Sequence, residues 1–286
     1  YTTDVVHSTI RSLGLQMTPI DIDPMSFQPV AKDYQFDRST VFIQTGLFGF
    51  PAFETGIYES VKNAGGFFLE DSCNSWGTMV NGNPAGSLGD ASIFSFRIGK
   101  AFSTGGGAAL MHRKEMKDSF KGMYSNLRNP GRVESMLKLL RSCLDYLLFE
   151  PWMLSHVSRP IRNLQKRVPL LSVLSRGGVV DTDYKVNEES MSKIGRYQKT
   201  LLERRSLSFD SELKERKVIS RNLIQLLKDL PVRIPAQTDS MFASWNGLFF
   251  PILLNEGNPD ELVKHLRNIG FDATRFHASV PEKSFP

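Results

Sequence analysis

"SFRIGKAFSTGGG", residues 95–107, sets one lysine, Lys100, between a serine at the end of an apolar run and three successive glycines. Three roles are open to that lysine: phosphate clamp, surface charge or covalent nucleophile. A P-loop places its glycines before the lysine and a Ser or Thr directly after it. Here the glycines follow Lys100 and its next neighbour is Ala101, so the order excludes the phosphate-clamp reading. The surrounding sequence has to decide between the other two.

Over the first 110 residues or so, apolar runs alternate with a helical pattern. "TPIDID", "TVFIQT", "GFFLED", "ASIFSF" and "GAALM" read as short buried strands, rich in β-branched or aromatic residues and bounded by turn formers. Between the second and third, "FETGIYESVKNAGG" carries Ile57, Val61 and Ala64 at helical spacing and closes on Gly65 and Gly66. Strand, helix, strand in that order predicts an α/β fold, a mainly parallel sheet with helices on its faces. Sheets of this kind bind ligands beyond the carboxyl ends of their strands.

Two of the runs end on chemically useful groups. Asp71 closes "GFFLED", and Lys100 follows "ASIFSF" 29 positions later. An acid and a lysine facing one crevice suit pyridoxal 5'-phosphate (PLP). The lysine forms an imine with the cofactor, and the acid keeps the pyridinium nitrogen protonated. Burial would lower the lysine pKa and free its amine. Ser95 could donate its hydroxyl to the cofactor phosphate, and the glycine run would let the backbone approach without a Cβ in the way. Each residue also has a plainer reading. Asp71 could cap the turn after its strand, Asp90 sits in a turn and reads as structural, and Trp76 and Phe96 read as core.

Residues 70–110, "EDSCNSWGTMVNGNPAGSLGDASIFSFRIGKAFSTGGGAAL", resemble the central motif of the DegT/StrS family of PLP-dependent sugar aminotransferases. The match lies in the Glu70 and Asp71 pair, in "GSLGDASIFSF" and in the lysine four residues after Phe96. Upstream, "VFIQTGLFGFP" and "SLGLQMTPIDID" are similar to further family segments. The likeness weakens from about residue 188 and is essentially absent over 125–180.

The resemblance implies PLP-dependent fold type I with a smaller α+β C-terminal domain. It implies Lys100 as the cofactor-bonding lysine, Asp71 as partner of the pyridinium nitrogen, Ser95 at the phosphate and Asn74 near the phenolic oxygen. It further implies a homodimer moving an amino group from glutamate or glutamine to a keto sugar, in this family usually nucleotide-linked. Relatives that act instead as sugar dehydratases carry histidine where Lys100 stands. The departures are Ser72 and Cys73 after the aspartate, the loss of the acid from the family's GEGG in Gly105, Gly106, Gly107 and Ala108, and an unmatched Asn-x-Arg-Met segment for which Asn187 is a weak candidate. A non-catalytic relative on the same fold fits those departures. Tyr1 falls near the family's cofactor-stacking aromatic residue, and the start at Tyr1 and the end at "EKSFP" suggest a fragment.

The chain of 286 residues divides on this reading into a PLP-binding part over 1–130, a basic helical insertion over 131–180 and a helical linker with a small domain over 181–286. In the insertion Pro151, Pro160 and Pro169 break Leu-rich runs into short helices, which would form a cap, pack on a partner or lie on a membrane surface. Beyond it, Met191, Ile194, Tyr197, Leu201 and Leu202 predict one long amphipathic helix, "GLFFPILL" a strand, and "GNPDELVKHLRNIG" a helix capped by Asn258 with Pro259 at its first position. Charge is uneven: residues 1–110 hold 6 Lys/Arg and 10 Asp/Glu, and 111–286 hold 29 and 20, so −4 and +9 give the total of +5. No motif reads nucleic acid. Two cysteines, Cys73 and Cys143, offer no disulfide framework or metal cluster and point to a reducing cytoplasm.

Overall fold

The computed structural model describes residues 4–30, 34–149, 191–235 and 239–276. Tyr1, Asn187, the three prolines of the 131–180 segment and the "EKSFP" end lie outside the described residues.

Four of the five strands expected before residue 112 form. They are β1 (Val41–Thr45), β2 (Phe67–Asp71), then, after a small antiparallel pair of β3 (Met79–Val80) and β4 (Asn83–Pro84), β5 (Ala91–Ser95) and β6 (Ala108–His112). The sheet order is β1-β2-β5-β6. β1, β2 and β5 run parallel, and β6 returns antiparallel with Ser95 opposite Ala108. Helix α2 (Thr55–Asn63) links β1 to β2, with Glu54 accepting from the Ile57 N–H as its cap. Its buried Ile57 and Val61 pack on Phe42 and Phe68, one from each strand.

The fifth strand, "TPIDID", is absent: only a single bridge, Ile22 to Pro29, forms there. Asp23 explains it, because its carboxylate accepts from the N–H groups of Met25 and Ser26 and from the Ser26 hydroxyl. Such local side-chain bonds offer the backbone a turn in place of a ladder. "GLFFPILL" also departs from expectation. Only β8 (Leu253–Leu254) pairs, with β7 (Val232–Arg233), while Pro251 has no N–H to donate and Phe249 and Phe250 turn to Phe48 and Trp245.

The long helix after residue 188 is two helices, α5 (Arg196–Ser206) and α6 (Phe209–Leu227). Met191 and Ile194 precede the first. Gly195 caps it in an extended conformation, and a Cβ there would meet Gln198 Oε1 at 2.4 Å and Ser135 Oγ at 2.9 Å. After α7 (Asp239–Ser244), the chain ends its described part with α8 (Pro259–Asn268), capped as expected by Asn258 and followed by Gly270 at φ +103°. The intervening helices are α1 (Asp4–Ser12), α3 (Lys117–Ser125) and α4 (Arg132–Phe149). α4 buries Ser135 and leaves Val133, Met136, Leu137, Leu140, Leu144 and Leu147 exposed. Glu134 on it is held down to about pKa 2 by hydrogen bonds from Arg128 and Lys138. Among the described residues no helix is long and apolar enough to cross a membrane.

The described residues fall into two compact units. One comprises residues 20–30, 34–139, 191–235 and 239–255, and the other residues 4–19, 140–149 and 256–276. In the first unit, residues beyond 191 complete the core around the strands. Trp245 stacks on Phe50 at 4.8 Å between ring centroids, and Phe209 meets Phe102 edge-on at 5.3 Å. Trp245 is 1% exposed and donates its indole N–H to the Phe48 carbonyl. Trp245→Ala should therefore cost about 3–5 kcal/mol, read as a lowered midpoint in urea unfolding.

Candidate active site

The register of the parallel strands aligns Thr45, Asp71 and Ile93, so the ends of β1, β2 and β5 share one edge. Asp71 accepts from the Thr45 hydroxyl and from the Cys73 N–H, each at 3.3 Å. The segment after β2 is tied to both neighbours: Gly46 N–H donates to the Asp71 carbonyl, and Ser72 N–H to the Ile93 carbonyl, each at 2.9 Å. Close approach requires glycine at 46, where a Cβ would lie 1.9 Å from Ser75 Oγ.

Lys100 reaches the same place from β5. Its half-buried side chain donates from Nζ to Asn74 Oδ1 at 2.7 Å. The segment that carries it folds back on its own strand, with Phe96 N–H donating to the Gly107 carbonyl and the Thr104 and Gly106 N–H groups donating to the Phe96 carbonyl. Buried Ala101 and Phe102 anchor it just after the lysine, and Phe102 stacks on Trp76. Two arginines clamp it from α5 and α6: Arg205 donates to the Ser103 carbonyl and Arg216 to that of Ala101. Burial pushes the Lys100 amine below the usual lysine range; negative charge at Asp71 opposes this and Arg97 adds to it.

Asp71, Asn74 and Lys100 are thus brought together. Ser95 ends β5 at the same edge, half-buried, its Oγ accepting a long 3.5 Å bond from the Arg97 N–H. In the glycine run a Cβ at Gly106 would meet nothing within 4 Å. A Cβ at Gly107 would meet Ile194 at 2.9 Å, and Gly105, Gly106 and Gly107 all have positive φ. Phe96 is core, and Trp76 packs against it and Phe94. Asp90 accepts from the Phe68 N–H and pairs with Lys62. Burial beside Asp71 pushes the Cys73 thiol up to about 12, leaving it protonated and unreactive near neutrality. Among the described residues no cluster of His, Cys, Asp or Glu could hold a metal.

Sequence reading assigned no role to four contributors. Glu70, beside Asp71, is buried and accepts the N–H groups of Gly86, Leu88 and Gly89, fixing the turn before β5. Arg205 and Arg216 read as helix-surface charges. Asn246 is fully buried against the Asn74 segment; its only signal was a lone amide within the apolar "FASWNGLFF".

Solved structures share this architecture. The E. coli GDP-4-keto-6-deoxy-D-mannose-3-dehydratase with bound hydrated PLP superposes with a TM-score of 0.63 at 13% identity, covering 95% of this chain and 63% of that one. A DegT/DnrJ/EryC1/StrS aminotransferase from Brucella abortus gives 0.62 at 17% identity, covering 94% and 61%. The aminotransferase TlmJ from Streptoalloteichus hindustanus gives 0.57 at 19% identity, covering 91% and 59%. The fold is that of PLP-dependent transferases of fold type I. Residues 5–141 match the model of the DegT/DnrJ/EryC1/StrS aminotransferase family. GDP-perosamine synthase of E. coli O157:H7 is 28% identical over 122 residues, 40% of this chain and 34% of that enzyme. The chain thus spans less than two thirds of these relatives' lengths.

Proposed function

We propose that this protein is a PLP-dependent aminotransferase that moves an amino group from glutamate or glutamine to a keto sugar carried on a nucleotide. The observation that supports it best is the Lys100 amine, drawn out of water and hydrogen-bonded to Asn74 on the strand edge that carries Asp71. These residues fit the cofactor. Lys100 would hold it covalently, Asp71 would face its pyridine nitrogen, Asn74 its phenolic oxygen, and Ser95 its phosphate. Bound there, PLP supplies the electron sink that makes a carbon–hydrogen bond next to nitrogen acidic. The protein's part is to present an uncharged amine, then to carry a proton on Lys100 Nζ to and from the substrate carbon. A functional homodimer goes with this reading.

Lysine rather than histidine at position 100 favours amino transfer over sugar dehydration. The test supplies PLP-loaded protein with glutamate or glutamine and measures the keto acid released in a single turnover. One equivalent per site is expected. Cofactor binding with no keto acid released would overturn amino transfer and leave dehydration as the activity to assay.

A second reading, a membrane-associated relative, is favoured by the exposed apolar residues of α4. It expects sedimentation with anionic phospholipid vesicles that Leu137→Glu with Leu144→Glu largely removes; equal sedimentation of both proteins, or none, excludes it.

A further inference from the structure

A buried amide is costly unless every polar atom finds a partner, and Asn246 satisfies this in full. Its side-chain N–H groups donate to the carbonyls of Asn74 at 2.7 Å and Trp76 at 3.0 Å. Its Oδ1 accepts from the Leu248 N–H at 2.9 Å, and its own backbone N–H points to the Gly49 carbonyl at 3.4 Å. That carbonyl also accepts from the Thr78 hydroxyl at 2.6 Å. One residue, distant in sequence, therefore ties the turn after β1 to the segment after β2.

The fit is specific. Gly49 sits at φ +80°, and a Cβ on it would lie 1.9 Å from Asn246 Oδ1. Packing alone would be served by an apolar residue, as neighbouring Trp245 serves it on Phe50. An amide here does what an apolar residue cannot, holding two carbonyls two residues apart in one orientation. The residue so held is Asn74, whose side chain receives the Lys100 amine at 2.7 Å.

We propose that Asn246 is a positioning residue for the reacting amine, acting through Asn74 to aim Lys100 Nζ. The proposal rests on Lys100 being the cofactor-bonding lysine. The amide oxygen of Asn74 stabilises the ammonium form more than the free amine. Displacing it should move the titration of Lys100 to lower pH, by about one pH unit for a hydrogen bond to a charged group.

The experiment needs no cofactor. Full-length protein is acetylated with limiting acetic anhydride across a pH series, and modification of Lys100 is measured by peptide mass mapping against exposed Lys117. Asn74→Ala, Asn246→Ala and the double variant should show the same downward shift, because both single changes break one chain of contacts. Asn246→Ser, which can still donate to one carbonyl, should shift partway and serves if the alanine variant does not fold. A wild-type titration in Asn246→Ala or Asn246→Ser overturns the proposal, as does no shift in Asn74→Ala or a double variant that shifts by the sum. Reduction of PLP-treated wild type with borohydride, followed by the same mapping, separately tests the underlying reading: a pyridoxyl group absent from Lys100 removes that reading without altering the acetylation result.

Discussion

Lys100→Ala should abolish the pyridoxyl label that borohydride fixes on PLP-treated protein, and turnover should fall by at least about 10²–10⁴-fold, the contribution of a positioned proton carrier alone. The absorbance band of bound cofactor should be displaced as well. A label that persists on another lysine at wild-type yield would reject the assignment. Loss of fold is a trivial route to the same result, and Lys100→Met guards against it. Burial holds the folded-state pKa of Lys100 below its ordinary value, so the unfolded chain binds the extra proton and stability rises with pH across that interval. The penalty is complete below the depressed pKa and vanishes as pH climbs past the ordinary lysine value. Removing the charge while keeping an unbranched apolar chain should therefore leave cofactor-free Lys100→Met at least as heat-stable as wild type at neutral pH, with any advantage fading in alkali. Stability unchanged and labelling lost is the pattern of a reactive group carried at a cost to the fold.

What the sequence disclosed and what it concealed follow from the range of the interactions. β1, β2, β5 and β6 were legible because alternating apolar residues and flanking turn formers act within one segment. The end of β2 at Asp71 and of β5 at Ser95 put the acid and the lysine on one edge by topology alone. "TPIDID" looked like those strands, but Asp23 bonds to Ser26 three residues on, beyond what an apolar pattern records. The single helix expected from about residue 188 through residue 216 breaks because Gly195 must clear Ser135 and Gln198, and Leu207 and Ser208 separate α5 from α6. Asn246 and Arg216 were opaque for the same reason. Their partners are carbonyls 172 and 115 positions away, and a backbone carbonyl leaves no trace in a sequence.

Asp71→Asn should separate the two roles that an acid at a strand end can have. If Asp71 only caps the turn, then stability and activity should fall together, since its carboxylate accepts from the Thr45 hydroxyl and the Cys73 N–H. An asparagine oxygen can still accept from one of these donors, so the structural loss should stay small. If Asp71 instead faces the pyridine nitrogen, removing its charge takes away a preorganised electrostatic partner, and turnover should fall on the order of 10²–10³-fold with unfolding little changed. The lysine gives the deciding readout. Negative charge at Asp71 holds the Lys100 titration up against burial, so Asp71→Asn should move it further down and make the amine easier to acetylate near neutrality. A more available amine that still takes the pyridoxyl label, in a protein that turns over hundreds of times more slowly, is incompatible with a mere cap. Acetylation unchanged, with activity and melting temperature lowered in proportion, would return Asp71 to the backbone it caps.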